Sequence, residues 1–181
     1  MFPAFKEWQV IVDALGAGAQ TLIMRKGGIA EDEGGFRPKA GRFWLFPTHF
    51  HEQRAKTKPA AFTREPVPRS AAGNVTLRLC AEVAHHAFVT DWDLVRRLDR
   101  FHLWTEAAIR ERYQRTKPPG LHVLLLRVHR LETPLTFPLT KAMGGCRSWI
   151  ELPHDPAIRP SQPVLTDAAF AACRLQLRAM L

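Results

Sequence analysis

Apolar residues near the start of the chain recur at the spacing of a helix. Phe5, Trp8, Ile11, Val12 and Leu15 fall on one helical face, and two glycines follow them within three residues. An apolar stripe of this period that ends in glycine is typical of an amphipathic helix with a glycine stop. The pattern therefore predicts that the chain begins with a helix.

Later runs have the pattern of β-strands. Residues 43–46 (FWLF) are continuously apolar, as expected for a strand that is buried on both faces. Residues 74–89 begin with alternating apolar and polar side chains, and a bend is predicted near His85 and His86. The predicted strands are 20–26, 43–46, 74–89, 121–131 and 147–152.

Capping residues predict three helices in the second half of the chain. Asp91, Thr105 and Thr166 each precede a run of helical spacing, and an aspartate or threonine at this position accepts a hydrogen bond from a free helical N–H group. The first two of these helices are predicted over 92–100 and 106–115.

A fourth capping residue lies immediately after the apolar strand 43–46. Pro47 and Thr48 are predicted to end that strand, and Thr48 is predicted to cap a helix that runs through Gln53 toward Lys56. Residues 58–73 hold three prolines and a glycine and are predicted to form a Pro-rich surface excursion.

Predicted strands and helices do not alternate strictly along the chain. This order favours one α+β domain over residues 1–181, built on a mixed, partly curled sheet with flanking helices. A length of 181 residues suits one domain with a full hydrophobic core.

Composition limits the class of protein. The chain is 46% apolar and 24% charged, and no apolar run approaches the roughly 18 residues of a membrane span. Its three cysteines are far apart, and the first residues lack the basic start and apolar run of a signal peptide. We therefore expect a cytoplasmic protein that does not enter a membrane.

The net charge of +9 is the strongest compositional signal. Between residues 34 and 64 the only acid is Glu52, and a basic surface attracts polyanions. A genome of high GC content favours Arg and Ala and would raise the charge without creating a binding site, and this alternative stays open. The basic residues of this region are Arg37, Lys39, Arg42, Arg54, Lys56, Lys58 and Arg64.

A group of titratable side chains follows the strand 43–46: His49, His51 and Glu52. On a helix His49 and Glu52 share a face, whereas on a strand the two histidines share a side. Local geometry alone does not bring all three together, so a divalent metal site would need a ligand from elsewhere in the chain. The three residues are candidate acid–base groups or metal ligands, and the alternative is a capped helix at a cleft rim. No cofactor motif is present, which leaves a divalent metal as the one cofactor considered.

Two glycine-containing segments are further candidates. Arg25 and Lys26 precede two glycines, an arrangement that lets backbone N–H groups approach a phosphate, although a simple tight turn explains it equally well. Cys146 beside Arg147 is a candidate nucleophile, with a buried small residue as the favoured alternative.

Several segments in this order resemble a known family. The segments FKEW, ALGAGAQTLIMRKGGIAE, FWLFPTHFHEQ, HLWT, LLLRVHRL and GCRSWIEL are similar to the bacterial family catalogued as domain of unknown function 1802. The resemblance covers nearly the whole chain and implies one intact domain, and it assigns no chemistry.

A second resemblance concerns the segments VDALGAGAQTLIMRKGG and LLLRVHRLETP, which are similar to parts of ASCH and EVE domains. These domains are PUA-like folds, small curled β-barrels with flanking helices that bind RNA or modified bases. The resemblance implies a small PUA-like barrel in which Arg25 and Lys26 lie at a cleft beside the first helix. It also implies that residues 44–51 line this cleft.

The leading functional hypothesis is a domain that binds nucleic acid or a nucleotide through a basic cleft. Trp44, His49 and His51 would line a pocket for a base. One alternative is a metal-assisted enzyme that acts on a nucleotide or nucleic-acid phosphate, and a second is a protein-interaction domain with an acidic partner. The expected phosphate-contacting residues are Arg25, Lys26, Arg37, Lys39, Arg42, Arg54 and Lys56.

Overall fold

The computed structural model describes residues 1–26, 41–49, 53–62, 70–115, 117–145 and 147–181. Within these ranges the strands are β1 Phe2–Trp8, β2 Leu22–Arg25, β3 Arg42–Thr48, β4 Asn74–Val89, β5 Leu121–Pro138, β6 Trp149–Leu152 and β7 Ser161–Pro163. The α-helices are α1 Gln9–Gly16, α2 Trp92–Arg97, α3 Glu106–Gln114 and α4 Asp167–Arg178. Short 3-10 helices cover Pro59–Phe62, Leu98–Phe101 and Lys141–Met143.

The seven strands form one mixed sheet in the order β2-β5-β4-β3-β1-β6, and β7 pairs with β5. β1 and β3 are parallel, and the other pairs are antiparallel. The longest pairing joins β4 to β5, with a register shift between Val83 and His85. The predicted α+β class and mixed sheet are confirmed, and the register shift falls where the sequence predicts a bend.

The prediction of a helix over residues 5–15 is wrong for its first half. Residues 2–8 are strand β1, and α1 begins only at Gln9. β1 lies between β3 and β6, so its backbone hydrogen bonds go to two neighbouring strands. Phe5 and Glu7 are both buried, and a buried glutamate hides the alternation of a strand from a hydrophobicity pattern.

The predicted helix cap at Thr48 is also wrong. β3 continues through Pro47 and Thr48, and the Thr48 hydroxyl donates to the Glu7 carbonyl oxygen at 3.0 Å. Pro47 is tolerated because β4 pairs with β3 only at residues 42–44, so the missing N–H group removes no bond to β4. Residues 53–56 form turns instead of a helix.

The three later caps are confirmed. Asp91 accepts from the backbone N–H of Asp93, Thr105 from that of Ala108, and Thr166 from that of Ala169. None of the helices in the described ranges is long and apolar enough to cross a membrane.

The sheet is buried on both faces in its centre. In β3, Phe43 and Leu45 belong to the larger apolar cluster, whereas Trp44 and Phe46 belong to a second cluster. This division explains the uninterrupted apolar run 43–46, because alternate side chains of a strand point to opposite faces. Helix α1 packs on the larger cluster through Ile11 and Leu15.

Candidate functional site

A cavity of about 340 Å³ lies beside α1. Its walls are α1, the end of β3, the turn at Gln53 and Arg54, the 3-10 helix Pro59–Phe62, and the middle of β4 and β5. We call it the α1 cavity. Its volume falls in the range of about 300–1,000 Å³ that is usual for small-molecule sites. The lining residues are Gln9, Val10, Val12, Asp13, Ala14, Gly16, Ala17, Leu45, Pro47, His49, Gln53, Arg54, Ala61, Phe62, Ser70, Thr76, Arg78, Leu79 and Arg130.

The charged side chains of the α1 cavity are mostly basic. Arg54, Arg78 and Arg130 line it together with His49, and Asp13 is the one acid among the described lining residues. Such a surplus of positive charge on an apolar, concave surface favours an anionic ligand with an apolar part.

The three arginines differ in how they are held. Arg54 is exposed, with its guanidinium 5.0 Å from the centre of the Phe62 ring. Arg130 donates to the Gly16 carbonyl oxygen at the end of α1. Arg78 is half-buried and makes no hydrogen bond or ion pair with any other residue that the structure describes. Arg54 and Arg78 are therefore the arginines that are most available to a ligand.

Asp13 lies on the side of α1 that faces the cavity. One carboxylate oxygen accepts from Gln9 Nε2 at 2.7 Å, one helical turn earlier. Burial raises the pKa of Asp13, and the nearby charges of Arg78 and His49 act in the opposite direction. The carboxylate thus shares a partly desolvated cavity with Arg78 and His49.

Sequence reasoning overlooked Asp13, Arg78 and Arg130. A signal for Asp13 was present, because Gln9 and Asp13 are four residues apart in the otherwise apolar helix QVIVDALG and so form a polar stripe. Arg78 and Arg130 join the site through the β4–β5 pairing, which spans about fifty residues of sequence and leaves no local signal.

Of the residues predicted to form the site, the α1 cavity includes His49 and Arg54. His49 follows the last residue of β3 and is exposed at the cavity. Lys26, which follows β2, is half-buried and does not line this cavity.

Three predicted phosphate contacts are instead paired with acids. Arg25 Nη2 lies 3.2 Å from Glu7 Oε2, Arg42 Nη2 lies 2.9 Å from Glu82 Oε1, and Lys56 Nζ lies 2.9 Å from Glu111 Oε2. Two of these pairs neutralise Arg42 and Lys56, which belong to the basic region between residues 34 and 64. We therefore leave the three cations out of the candidate site.

Trp44 does not line the cavity either. Its side chain has no exposed surface, and its indole Nε1 donates to the His154 carbonyl oxygen at 2.8 Å. A fully buried ring offers no face to a base, so Trp44 serves the second apolar cluster instead.

The other predicted residues lie outside the described ranges: Arg37, Lys39, His51, Glu52 and Cys146. Within the described ranges, no three or more His, Cys, Asp or Glu side chains are grouped so that they could hold a metal ion.

A second depression lies on α2 and α3 and has a different character. It is lined by four acids and two arginines, so its charge does not suit a polyanion. The α1 cavity is therefore the better candidate for the basic cleft that the sequence predicts.

Comparison with known proteins places the chain in a family. No curated protein matches it. Among solved structures, the ASCH protein from Zymomonas mobilis is similar, with 15% identity and a TM-score of 0.46 over 77% of this chain and 87% of that one. Two single-residue variants of the same protein give the same identity and TM-score over 90% and 88% of their length. The model of a family described as a domain of unknown function (DUF1802) matches residues 4–176. The family expected from the sequence motifs is confirmed, and the chain belongs to the DUF1802 family.

Proposed function

We propose that the chain binds nucleic acid and that the α1 cavity takes one unpaired nucleotide. The observation that carries this proposal is the charge of the cavity: three arginines and a histidine against one acid. Arg25 and Arg42 are engaged with acids, whereas Arg54 and Arg78 line the cavity and make no ion pair with any residue that the structure describes.

The shape of the cavity supports an unpaired nucleotide over a duplex. A concave site can enclose a base that is turned out of a strand, whereas a duplex needs a broad surface or a groove-filling element. The apolar walls from α1 and β3 suit the faces of a base. Arg54 at the rim suits the flanking phosphate, because a guanidinium binds phosphate oxygens in a planar fork.

Arg54→Ala is expected to weaken the binding of a fluorescein-labelled single-stranded hexamer about three- to tenfold. The slope of log affinity against log salt should become shallower by about 0.7, the value for one phosphate contact on a single strand. Fluorescence polarisation across a salt series measures both quantities.

Arg96→Ala is the matched control, because Arg96 is an exposed arginine on α2 outside the cavity. It should change neither the affinity nor the slope. Equal losses for both variants would mean that only the overall charge attracts the strand. Equally tight binding of poly-glutamate would favour the protein-interaction hypothesis over nucleic acid.

A second candidate function is an enzyme that cleaves a nucleotide or nucleic-acid phosphate. It is favoured by the presence of His49 and Asp13 in the same cavity, since a histidine and a carboxyl group are common acid–base partners.

For this second function, His49→Ala is expected to reduce strand cleavage at least about a hundredfold, the usual contribution of one acid–base group, and to change hexamer affinity less than threefold. Cleavage assays with and without Mg²⁺, Mn²⁺ or Zn²⁺, run beside polarisation, separate the two effects. Cleavage that persists in the variant, or a loss of binding as large as the loss of cleavage, would show that His49 is not an acid–base group of the reaction.

A further inference from the structure

Asp13 is out of place in a cavity that binds phosphate. A carboxylate repels phosphate oxygens, yet Asp13 lies among the arginines of the α1 cavity. Its side chain has little part in holding the fold: its one hydrogen bond among the described residues comes from Gln9, one turn earlier on the same helix, and both side chains are half-buried. Its position is therefore better explained by a ligand group that donates hydrogen bonds.

The chemistry of the bases indicates which ligand group donates these hydrogen bonds. A carboxylate accepts hydrogen bonds through both oxygens, and it binds best to two adjacent N–H donors. Guanine offers such a pair, N1–H and the N2 amino group, with the acceptor O6 beside them. Adenine, cytosine and uracil each present one donor group between or beside acceptors on the same edge.

The residue near Asp13 suits the acceptor O6 on the same edge of guanine. Arg78 is close enough to act on the charge of Asp13, and its guanidinium has no partner among the described residues. Arginine is the usual donor to guanine O6. A carboxylate and a guanidinium that line the same cavity thus complement a donor pair that is followed by an acceptor.

We propose that Asp13 and Arg78 select guanine in the α1 cavity, Asp13 accepting from N1–H and N2 and Arg78 donating to O6. This inference rests on the proposed function. In it Asp13 recognises the base, and Arg54 binds the phosphate. Gln9 holds the carboxylate in position from one turn away.

The test compares uracil hexamers that carry one central guanine, adenine, cytosine or inosine, measured by fluorescence polarisation at constant salt. The base of inosine, hypoxanthine, is guanine without the N2 amino group. The native chain should bind the guanine hexamer about tenfold more tightly than the adenine, cytosine or all-uracil hexamers, the value of one good bidentate contact. Inosine should fall between guanine and the others.

Asp13→Asn is the informative variant, because it keeps the shape and the acceptor for Gln9 while it removes the charge. It should bind guanine and inosine equally and lose most of the preference over adenine, with an unchanged melting temperature. Asp93→Asn, the same change at an exposed site on α2, should keep the native preference.

The outcomes separate this inference from the proposed function. Binding without base preference in the native chain, or a preference that survives in Asp13→Asn, would overturn the selection of guanine and leave the nucleic-acid site standing. Absence of binding to every hexamer would overturn both.

Discussion

Glu7→Ala is expected to lower the free energy of unfolding by about 3–5 kcal/mol, because removal of one partner of a buried ion pair leaves the other charge uncompensated. The Glu7 side chain is 0% exposed, and its Oε2 lies 3.2 Å from Arg25 Nη2. Its Oε1 accepts from the backbone N–H of Trp8 at 2.8 Å, where β1 ends and α1 begins.

Glu7 also compensates a second arginine. The Arg112 guanidinium lies between the rings of Trp8 and Trp104, 4.8 and 4.7 Å from their centres, and donates to the Met24 carbonyl oxygen at 3.3 Å. Burial lowers the pKa of Arg112 to about 10, and the charge of Glu7 acts in the opposite direction. The alanine variant would therefore leave two cations without their shared acid.

Glu82→Ala provides the matched control for this effect. Glu82 pairs with Arg42 at 2.9 Å, but its side chain is 45% exposed. An exposed pair of this kind contributes about 0–1 kcal/mol. We call Glu7, Arg25 and Arg112 the Glu7 cluster. Urea unfolding of both variants measures the difference, and equal losses would show that the Glu7 cluster contributes no more than a surface ion pair.

The Glu7 cluster also explains why the fold was only partly predictable. Local signals sufficed for the strand 43–46 and for the caps Asp91 and Thr105, because an apolar run and a capping side chain act within a few residues. β1 was missed because Glu7 is buried beside Arg25 of β2, a partner eighteen residues away. A hydrophobic pattern counts every glutamate as exposed.

The candidate site was predictable to a smaller extent. His49 and Arg54 follow β3 directly, so the segment that holds them could be identified from its own residues. The charges of Arg42 and Lys56 were counted in the sequence without their partners Glu82 and Glu111, which are forty or more residues away. Sequence composition thus predicted a basic cleft, and long-range ion pairing decides which cations remain available to it.

His102 provides a second large effect, this time on pH dependence. Its side chain is 3% exposed and packs 5.7 Å from the Trp104 ring. Burial lowers the pKa of His102 from 6.5 to about 4, and the charge of Lys58 acts in the same direction. Asp99 and a backbone hydrogen bond at Trp104 act against the shift.

The sign of the effect follows from proton uptake. Between pH 6.5 and about 4 the unfolded chain binds a proton at His102 that the folded chain does not. The contribution of His102 to the free energy of unfolding is therefore fully present above pH 6.5. It is lost as the pH falls, by about 2 kcal/mol at pH 5 and about 3 kcal/mol in total. Burial also lowers the pKa of His86 and His129, which adds to the loss with the same sign.

Urea unfolding of the native chain at pH 7.5 and pH 5 measures the loss, and His102→Gln should remove most of it because glutamine does not titrate. For each variant the relevant quantity is the free energy of unfolding at pH 7.5 minus that at pH 5, so any constant cost of the substitution cancels. His86→Gln, the same change at an exposed histidine, should remove much less. If His102→Gln kept the full pH dependence, the acid sensitivity would belong to other groups, and the pKa of His102 would be nearly the same in the folded and the unfolded chain.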